Sequence, residues 1–473
     1  MATPISFFNK NEVNCNMQTS SDQQNKKIYS KVLKKITPTQ KDLNAEKKIF
    51  LEIKEKIDNM QGHHSHLEWC GSSARNTHLK SDRDLDLFVM FEKEMDSKQL
   101  EKEGLKIGKS VFRGHTWEKA YSQHPYIRGK IKNFDIEIVP SYIVSRGSEK
   151  KSAVDRTPFH NKFILKNLSE NQRKEVRLLK QFLKGIGAYG ADLKNCSLPG
   201  YGVELLIVKY KTFENVLKNT KTWKCGTQIK FNNKKSKVKF DQPLIIIDPV
   251  DENRNVASAL SEEQFKKIKL ASAIFLQNPN IKFFFPKKIK VWKKEKVKKA
   301  LNQKELIAIH SKFPKNDLSD IVWGQLRRFL KKITRHLVEK DFNVLRETLW
   351  SDEKDIYFII QLGSLDLQKS KKLIGPKAVD TINVENFLKD KKNILSGPRI
   401  ENERIVIEVP RKETNAIKLI EKFIKENKKS ERKAVKKMLK YTRVINEKEM
   451  LKHYKKNFAQ FFTKYLDGKE SFE

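Results

Sequence analysis

Cysteine is scarce: Cys15, Cys70, Cys196 and Cys225 are the four in 473 residues, and they are scattered. That is too few for a disulfide framework and the wrong spacing for a zinc site. They read as free thiols of a reducing compartment, which points to the cytoplasm. Long apolar runs are missing as well. None reaches the roughly 20 residues of a membrane span, and no signal peptide is visible, so a soluble intracellular protein is expected. No internal repeat is evident, which excludes a repeat array. Acidic residues are in short supply, 58 Asp and Glu against 98 Lys and Arg, for a formal charge of +40. Lys enrichment alone accounts for part of this charge. A polyanionic partner accounts for it too, since such a surface binds nucleic acid with strong salt dependence. The length suits about three domains with ample core.

What is present centres on Cys70–Phe91, CGSSARNTHLKSDRDLDLFVMF. His66–Cys70 reads as a strand, Gly71–Ser73 as a turn, and Ala74–Leu79 as a short helix. Asp84-Leu85-Asp86 then opens an apolar strand, Leu87–Phe91. Residues two apart on a strand share a face, so Asp84 and Asp86 project together while Leu85, Leu87 and Val89 enter a core. Two such carboxylates repel unless a cation lies between them, and hard oxygen ligands suit Mg²⁺. A Gly-Ser turn offers N–H groups and a hydroxyl to phosphate, and Arg75 can add a bidentate contact. A lone acidic pair is often only a solvated turn. Paired with a Gly-Ser turn a dozen residues earlier, it resembles the nucleotidyltransferase signature of the DNA polymerase beta superfamily.

The resemblance extends along the chain. GSSARNTHL, SAVDRTPFHNKF (152–163), RLLKQFLKGIGAYG (177–190) and DPVDENRNVASALS (248–261) are similar to the archaeal-type, class I CCA-adding enzymes. So, in the same order, are FFFPKK (283–288), DIVWGQLRRFL (320–330), LWSDE (349–353) and GPRIENERIVIEV (397–409). The match spans about residues 30 to 410. It implies a multidomain α+β protein with a polymerase-beta-like head built on a mixed sheet, a helical neck, an α+β body and a helical tail. The divisions expected are a disordered extension at 1–27, a catalytic domain at 28–150, a central helical domain at 151–272, and a tRNA-binding body and tail at 273–473.

The rest of the chain fits that frame. Residues 1–27 are polar and without helical period. Thr37-Pro38-Thr39-Gln40 reads as a helix start with Thr37 as N-cap. Leu43, Ile49, Phe50, Ile53, Ile57 and Met60 then form one apolar face. His63, His64 and His66 lack a Cys or acidic partner at metal-ligand spacing and read as a solvated loop. Strands near 126–131 and 134–139 carry Asp135 and Glu137 on one face, where the resemblance places a third carboxylate. Counting back from Val139-Pro140 selects Glu137, where relatives have the shorter Asp; Asp135 stays open. Helices are expected at 171–186 and 201–213, a charged hairpin tip at 234–239, and at 248–255 a turn capping a helix at 256–260. The resemblance puts His160 and Lys180 near phosphate, Tyr189 near the sugar and Arg254 against the base. A purely structural salt bridge remains open for Arg254. At 321–337 one face is apolar and Arg327, Arg328, Lys331, Lys332 and Arg335 occupy the others, suited to an RNA backbone or to solvent. Strands are expected at 356–362 and 404–409 and Lys-rich helix at 412–473.

The activity implied is template-free addition of C, C and A to the 3′ end of tRNA from CTP and ATP. Asp84, Asp86 and Glu137 would hold Mg²⁺, and Ser72 and Arg75 the triphosphate. A homodimer is compatible with the pattern. Two alternatives stand beside it: a poly(A) or uridylyl transferase, and an inactive RNA-binding relative. Clustered unpaired carboxylates argue against the latter.

Overall fold

The computed structural model describes residues 10–62, 64–121, 124–190, 193–233, 236–314, 319–391 and 393–472, with side chains from residue 23 onward. The chain divides into two compact units, Met1–Lys287 with Glu470–Glu473, and Lys288–Lys469.

The first unit opens with helices α1 (Lys10–Ile36) and α2 (Gln40–Asp58). Then follow β1 (His64–Cys70), the single turn α3 (Gly71–Ala74), β2 (Asp84–Phe91), α4 (Ser97–Val111), β3 (Trp117–Tyr121), β4 (Pro125–Ile131) and β5 (Phe134–Tyr142). The strands form one sheet in the order β1-β2-β5-β4-β3. It is mixed, because β2 and β5 run parallel while the other pairs are antiparallel. Alternation along β2 and β5 sends Leu85, Leu87, Val89, Ile136 and Ile138 into a cluster with Ile49, Ile53 and Ile57 of α2. The apolar stripe of α2 thus covers one face of the sheet, which frees the acids of β2 to project from the other.

The unit continues through α5 (Thr157–Asn167), α6 (Glu170–Gly185), α7 (Gly200–Tyr210), α8 (Phe213–Thr222), β6 (Thr227–Ile229), β7 (Leu244–Asp248), β8 (Asp251–Asn255) and α9 (Glu262–Gln277). A second cluster joins α6, α7 and α9 around Phe182, Phe213, Phe275, Phe283 and Phe284. The domain border expected at 272/273 falls inside α9. Phe275 lies in this core, so the first unit runs on to Lys287.

The second unit comprises α10 (Lys294–Leu301), β9 (Glu305–Lys312), α11 (Ser319–Glu339), β10 (Val344–Ser351), β11 (Asp355–Leu362), β12 (Ser370–Lys377), α12 (Thr381–Lys389), β13 (Ser396–Glu401), β14 (Arg404–Pro410), α13 (Ala416–Asn427), α14 (Lys433–Met438), β15 (Arg443–Ile445), α15 (Glu447–His453) and α16 (Lys456–Asp467). Its sheets are β10-β11-β9-β15 and β12-β14-β13. Helix α11 buries Leu326, Phe329, Leu330, Ile333 and Leu337 and leaves Arg328, Lys331, Lys332 and Arg335 exposed, as its periodicity requires.

Several local expectations change. Residues 10–27 belong to α1 instead of lacking regular structure; residues 1–9 lie outside the described residues. Ile28, Tyr29, Val32 and Ile36 pack against the second core, and a helix nucleated there propagates outward at little cost. The N-cap of α2 is Thr39, not Thr37: its backbone N–H donates to Asp42 Oδ2 at 2.8 Å and its hydroxyl oxygen accepts from the Asp42 N–H. The helical turn after β1 is Gly71–Ala74, and residues 75–79 are not helical. Asn76 stands at φ 52° and ends it, held there by Arg177 bonds to its carbonyl and side chain. Residues 248–255 form a β7–β8 hairpin instead of a helix cap. The Asn255 side chain fastens it by accepting from Ile246 N and donating to the Leu244 carbonyl. Lys234 and Lys235 of the expected hairpin tip lie outside the described residues.

The cap assignment is testable by thermal or denaturant unfolding. Thr39→Ala should destabilise the protein by about 1 kcal/mol, and Thr37→Ala by less than about 0.5 kcal/mol. The reverse order would restore Thr37 as the cap.

Candidate active site

The parallel pairing of β2 with β5 brings Asp84 opposite Asp135 and Asp86 opposite Glu137. In-register neighbours share a face, so the two strands set four acids on one patch of sheet. They are not equivalent. Asp135 is exposed and pairs with Lys130 at 3.5 Å. Glu137 is half-buried beside Asp86 and accepts a hydrogen bond from the Tyr126 hydroxyl at 3.2 Å. Neither Asp84 nor Asp86 has an ion pair among the described residues. Burial, then Glu137 and Asp84, push the Asp86 carboxyl up to about 7. Glu137 is also raised by burial, against the Tyr126 bond and the charge of Arg128. Asp84 rises through partial burial and the charges of Asp82 and Asp135.

The turn after β1 closes over this patch. Gly71 has φ 77°, a left-handed conformation, and a Cβ there would lie 1.8 Å from Asp86 Oδ2. Only glycine meets both demands. Ser72 follows it at the rim of a cleft of about 720 Å³, which Asp84, Asp86, Asp135, Glu137, Trp117 and Arg128 also line. Ser72, Asp84, Asp86 and Glu137 are thereby brought together.

The other five candidate residues do not line that cleft. Arg75 is buried, its Nε donating to Glu204 Oε1 at 3.2 Å and its Nη1 to Asn161 Oδ1 at 3.3 Å. Lys180 is buried too, 3.6 Å from the same Glu204 oxygen. Burial, opposed by Glu204 and reinforced by Arg75, lowers its ammonium to about 8. His160 Nε2 and Arg254 Nη1 both lie 2.8 Å from Asp248 Oδ2. Burial favours a protonated Asp248, but the His160 bond and Arg254 hold it down at about 2. His160 is itself lowered by burial and packs on Tyr201, ring centroids 4.1 Å apart. Tyr189 is half-buried beneath Lys184, whose ammonium lies 5.4 Å from its ring centroid. Sequence reasoning missed Glu204, Asn161 and Tyr126. A lone acid in the apolar run GYGVELLIV was the available signal for Glu204.

Of the three neighbouring histidines, read from sequence as a loop, His64 and His66 lie in strand β1, where His66 pairs with Glu68 at 3.3 Å; His63 lies outside the described residues. No group of three His, Cys, Asp or Glu side chains among the described residues forms a ready metal cage. The carboxylate cleft still fits a divalent cation. It offers hard oxygens free of ion pairs, and Mg²⁺ uses one or two carboxylates with substrate phosphates completing its shell.

A mixed sheet carrying acids in register on its parallel pair, beside a Gly-Ser turn, defines a nucleotidyltransferase. Residues 47–160 match the nucleotidyltransferase domain family, 174–285 the second domain of tRNA nucleotidyltransferases, and 303–447 the C-terminal domain of CCA-adding enzymes. The chain is 39% identical to a CCA-adding enzyme of Methanococcus maripaludis, over 76% of this chain and 84% of that one. It is 36% identical to one from Saccharolobus islandicus, over 84% and 92%. Among solved structures, a cytoplasmic RNA terminal U-transferase aligns with TM-score 0.40 and 14% identity, over 55% of this chain and 95% of that one. The chain belongs to the family of CCA-adding enzymes, tRNA nucleotidyltransferases that act with nucleotide substrates and generally depend on a divalent metal. No helix among the described residues is long and apolar enough to cross a membrane.

The raised Asp86 has a consequence for stability. Without divalent ions the folded chain keeps this proton up to about pH 7, whereas the unfolded chain releases it near the ordinary Asp value of about 3.9. The folded state binds the extra proton, so this contribution is complete below the lower value and is lost as pH rises through the upper one. In chelator, the stability of the wild type relative to Asp86→Asn should fall from about pH 4 to about pH 7 and level off above that. Its limiting slope is about 1.4 kcal/mol per pH unit. A flat difference would show that Asp86 titrates as an ordinary carboxylate.

Proposed function

We propose that the chain performs template-free transfer of CMP, CMP and AMP to the 3′ end of tRNA in the cytoplasm, from CTP and ATP with release of pyrophosphate. The observation that carries the mechanism is the register of Asp86 with Glu137, which sets two partly buried carboxylates side by side next to Asp84. These three would hold Mg²⁺; Asp135 is the poorer ligand, being already paired with Lys130. Held by these carboxylates, a divalent ion would supply Lewis-acid chemistry, favouring deprotonation of the RNA 3′-hydroxyl and offsetting charge at the α-phosphate.

The chain's own residues do the rest. The Ser72 hydroxyl donates to a triphosphate oxygen at the rim of the cleft. Arg75 and Lys180 act from beneath, by charge, because both are buried. Asp248 holds one arm of Arg254, which leaves the rest of its fork for a base edge. His160 and Tyr189 flank the phosphate and sugar. On α11, exposed Arg328 and Arg335 suit phosphate contacts along an RNA helix. Lys331 and Lys332 pair with Glu347 and Glu431 and are less available.

Purified protein incubated with tRNA lacking its 3′ CCA, Mg²⁺, CTP and ATP should yield ends that sequence as CCA. Tracts of A or U would identify another nucleotidyltransferase, and unextended ends an inactive relative. In single-nucleotide addition assays Glu137→Ala should lose at least about 100-fold in turnover, and Asp135→Ala less than about 10-fold. A dead Asp135→Ala beside an active Glu137→Ala would shift the ligand to Asp135.

A further inference from the structure

Glu204 is a fully buried carboxylate in the middle of α7, between the buried Val203 and Leu205. A charge in that position is costly unless it is paired and hydrogen-bonded. Its partners come from two other segments. Arg75 and Thr77 belong to the loop after the Gly-Ser turn, and Lys180 to α6. Arg75 meets both carboxylate oxygens, at 3.2 and 3.0 Å, and Lys180 lies 3.6 Å away. The Thr77 hydroxyl donates to Glu204 Oε1, while the Thr77 N–H donates to the Ser72 carbonyl at 2.9 Å. One carboxylate is thus wired, through a single threonine, to the residue at the rim of the cleft. Against burial, Arg75, Lys180 and the Thr77 bond hold Glu204 below the usual carboxylate range, so it is charged. Two buried cations face one buried anion. The surplus positive charge lies beneath the turn and acts on Asp86.

We infer that Glu204 is a positioning residue for nucleotidyl transfer: its carboxylate holds Lys180 and Arg75 in place, and through Thr77 it fixes the turn that presents Ser72. The inference rests on the proposed reaction and adds a residue to it. Lys180 is the sensitive partner. It is faced by Glu204 from α7, by Arg75 and Asp82 from the loops after β1, and by Arg177 on its own helix. Glu204, 3.6 Å away, is the strongest influence favouring its charge. Without that carboxylate the ammonium, already lowered to about 8, loses its proton at lower pH. The positive charge under the triphosphate then depends on pH across the physiological range.

The test measures kcat/KM for CTP and for ATP between pH 6 and pH 9, with saturating tRNA, in the wild type, Glu204→Gln and Thr77→Val. Affinity for tRNA and melting temperature are followed in parallel. Glu204→Gln should lose about 100-fold at pH 8 and recover about tenfold of that loss at pH 6, with tRNA affinity within twofold. Thr77→Val keeps the shape of the side chain but cuts the link from Glu204 to the turn. It should lose about tenfold for both nucleotides at every pH. Loss by the same factor at every pH in Glu204→Gln, or wild-type activity in either variant, would overturn the inference. If Glu204→Gln does not fold, Thr77→Val decides alone. A wild type that adds no nucleotide would instead overturn the reaction itself, whatever the variants do.

Discussion

Like charges held together at the end of a sheet are the constraint on which this molecule turns. Asp86 and Glu137 are neighbours across a parallel strand pair, and Asp84 lies one pleat away. Such acids repel, and partial burial makes the repulsion stronger. The sheet tolerates them because the opposite face is apolar and packed, so the register cannot slip without turning Leu85, Leu87 and Ile136 out of the core. Packing stability on one face thus maintains electrostatic strain on the other. Proton uptake or a cation would relieve that strain.

The positive charges nearby are distributed by a different rule. Arg75, Lys180, His160 and Arg254 do not reach into the cleft; each is tied to a carboxylate of the helical part, Glu204 or Asp248. These pairings come from α7 and the β7–β8 hairpin, far along the chain from the acidic strands. Of these, the Arg75–Glu204 pair ties the loop after β1 to α7 by buried charge. The pairings also keep flexible cationic side chains in one geometry, so their ordering entropy is met on folding.

Glycine shows how tightly the two systems meet. Gly71 separates β1 from Ser72, and its missing Cβ is the space that the Asp86 carboxylate uses. The same turn receives the Thr77 bond to Ser72 and, one hydroxyl further, Glu204. A short stretch of backbone therefore transmits the position of the helical part to the rim of the cleft.

The family, the sheet strand with its acidic pair, the apolar faces of α2, α6 and α11, and the identity of the candidate residues were legible in the sequence. Alternation and helical spacing are local, and the motifs are contiguous. Tertiary structure decided which of those residues share a cleft. Ser72, Asp84, Asp86 and Glu137 do, through a register between strands some fifty residues apart that no local pattern encodes. It likewise set Arg75 and Lys180 on Glu204, a residue whose local context is apolar and whose partners lie in distant segments. Helix ends and turns also needed it: Thr39 displaced Thr37 as the cap, Arg177 fixed the end of α3, and Asn255 made a hairpin where a helix cap was expected. In each case a side chain competes for backbone groups, and only the folded neighbourhood decides which competitor is within reach.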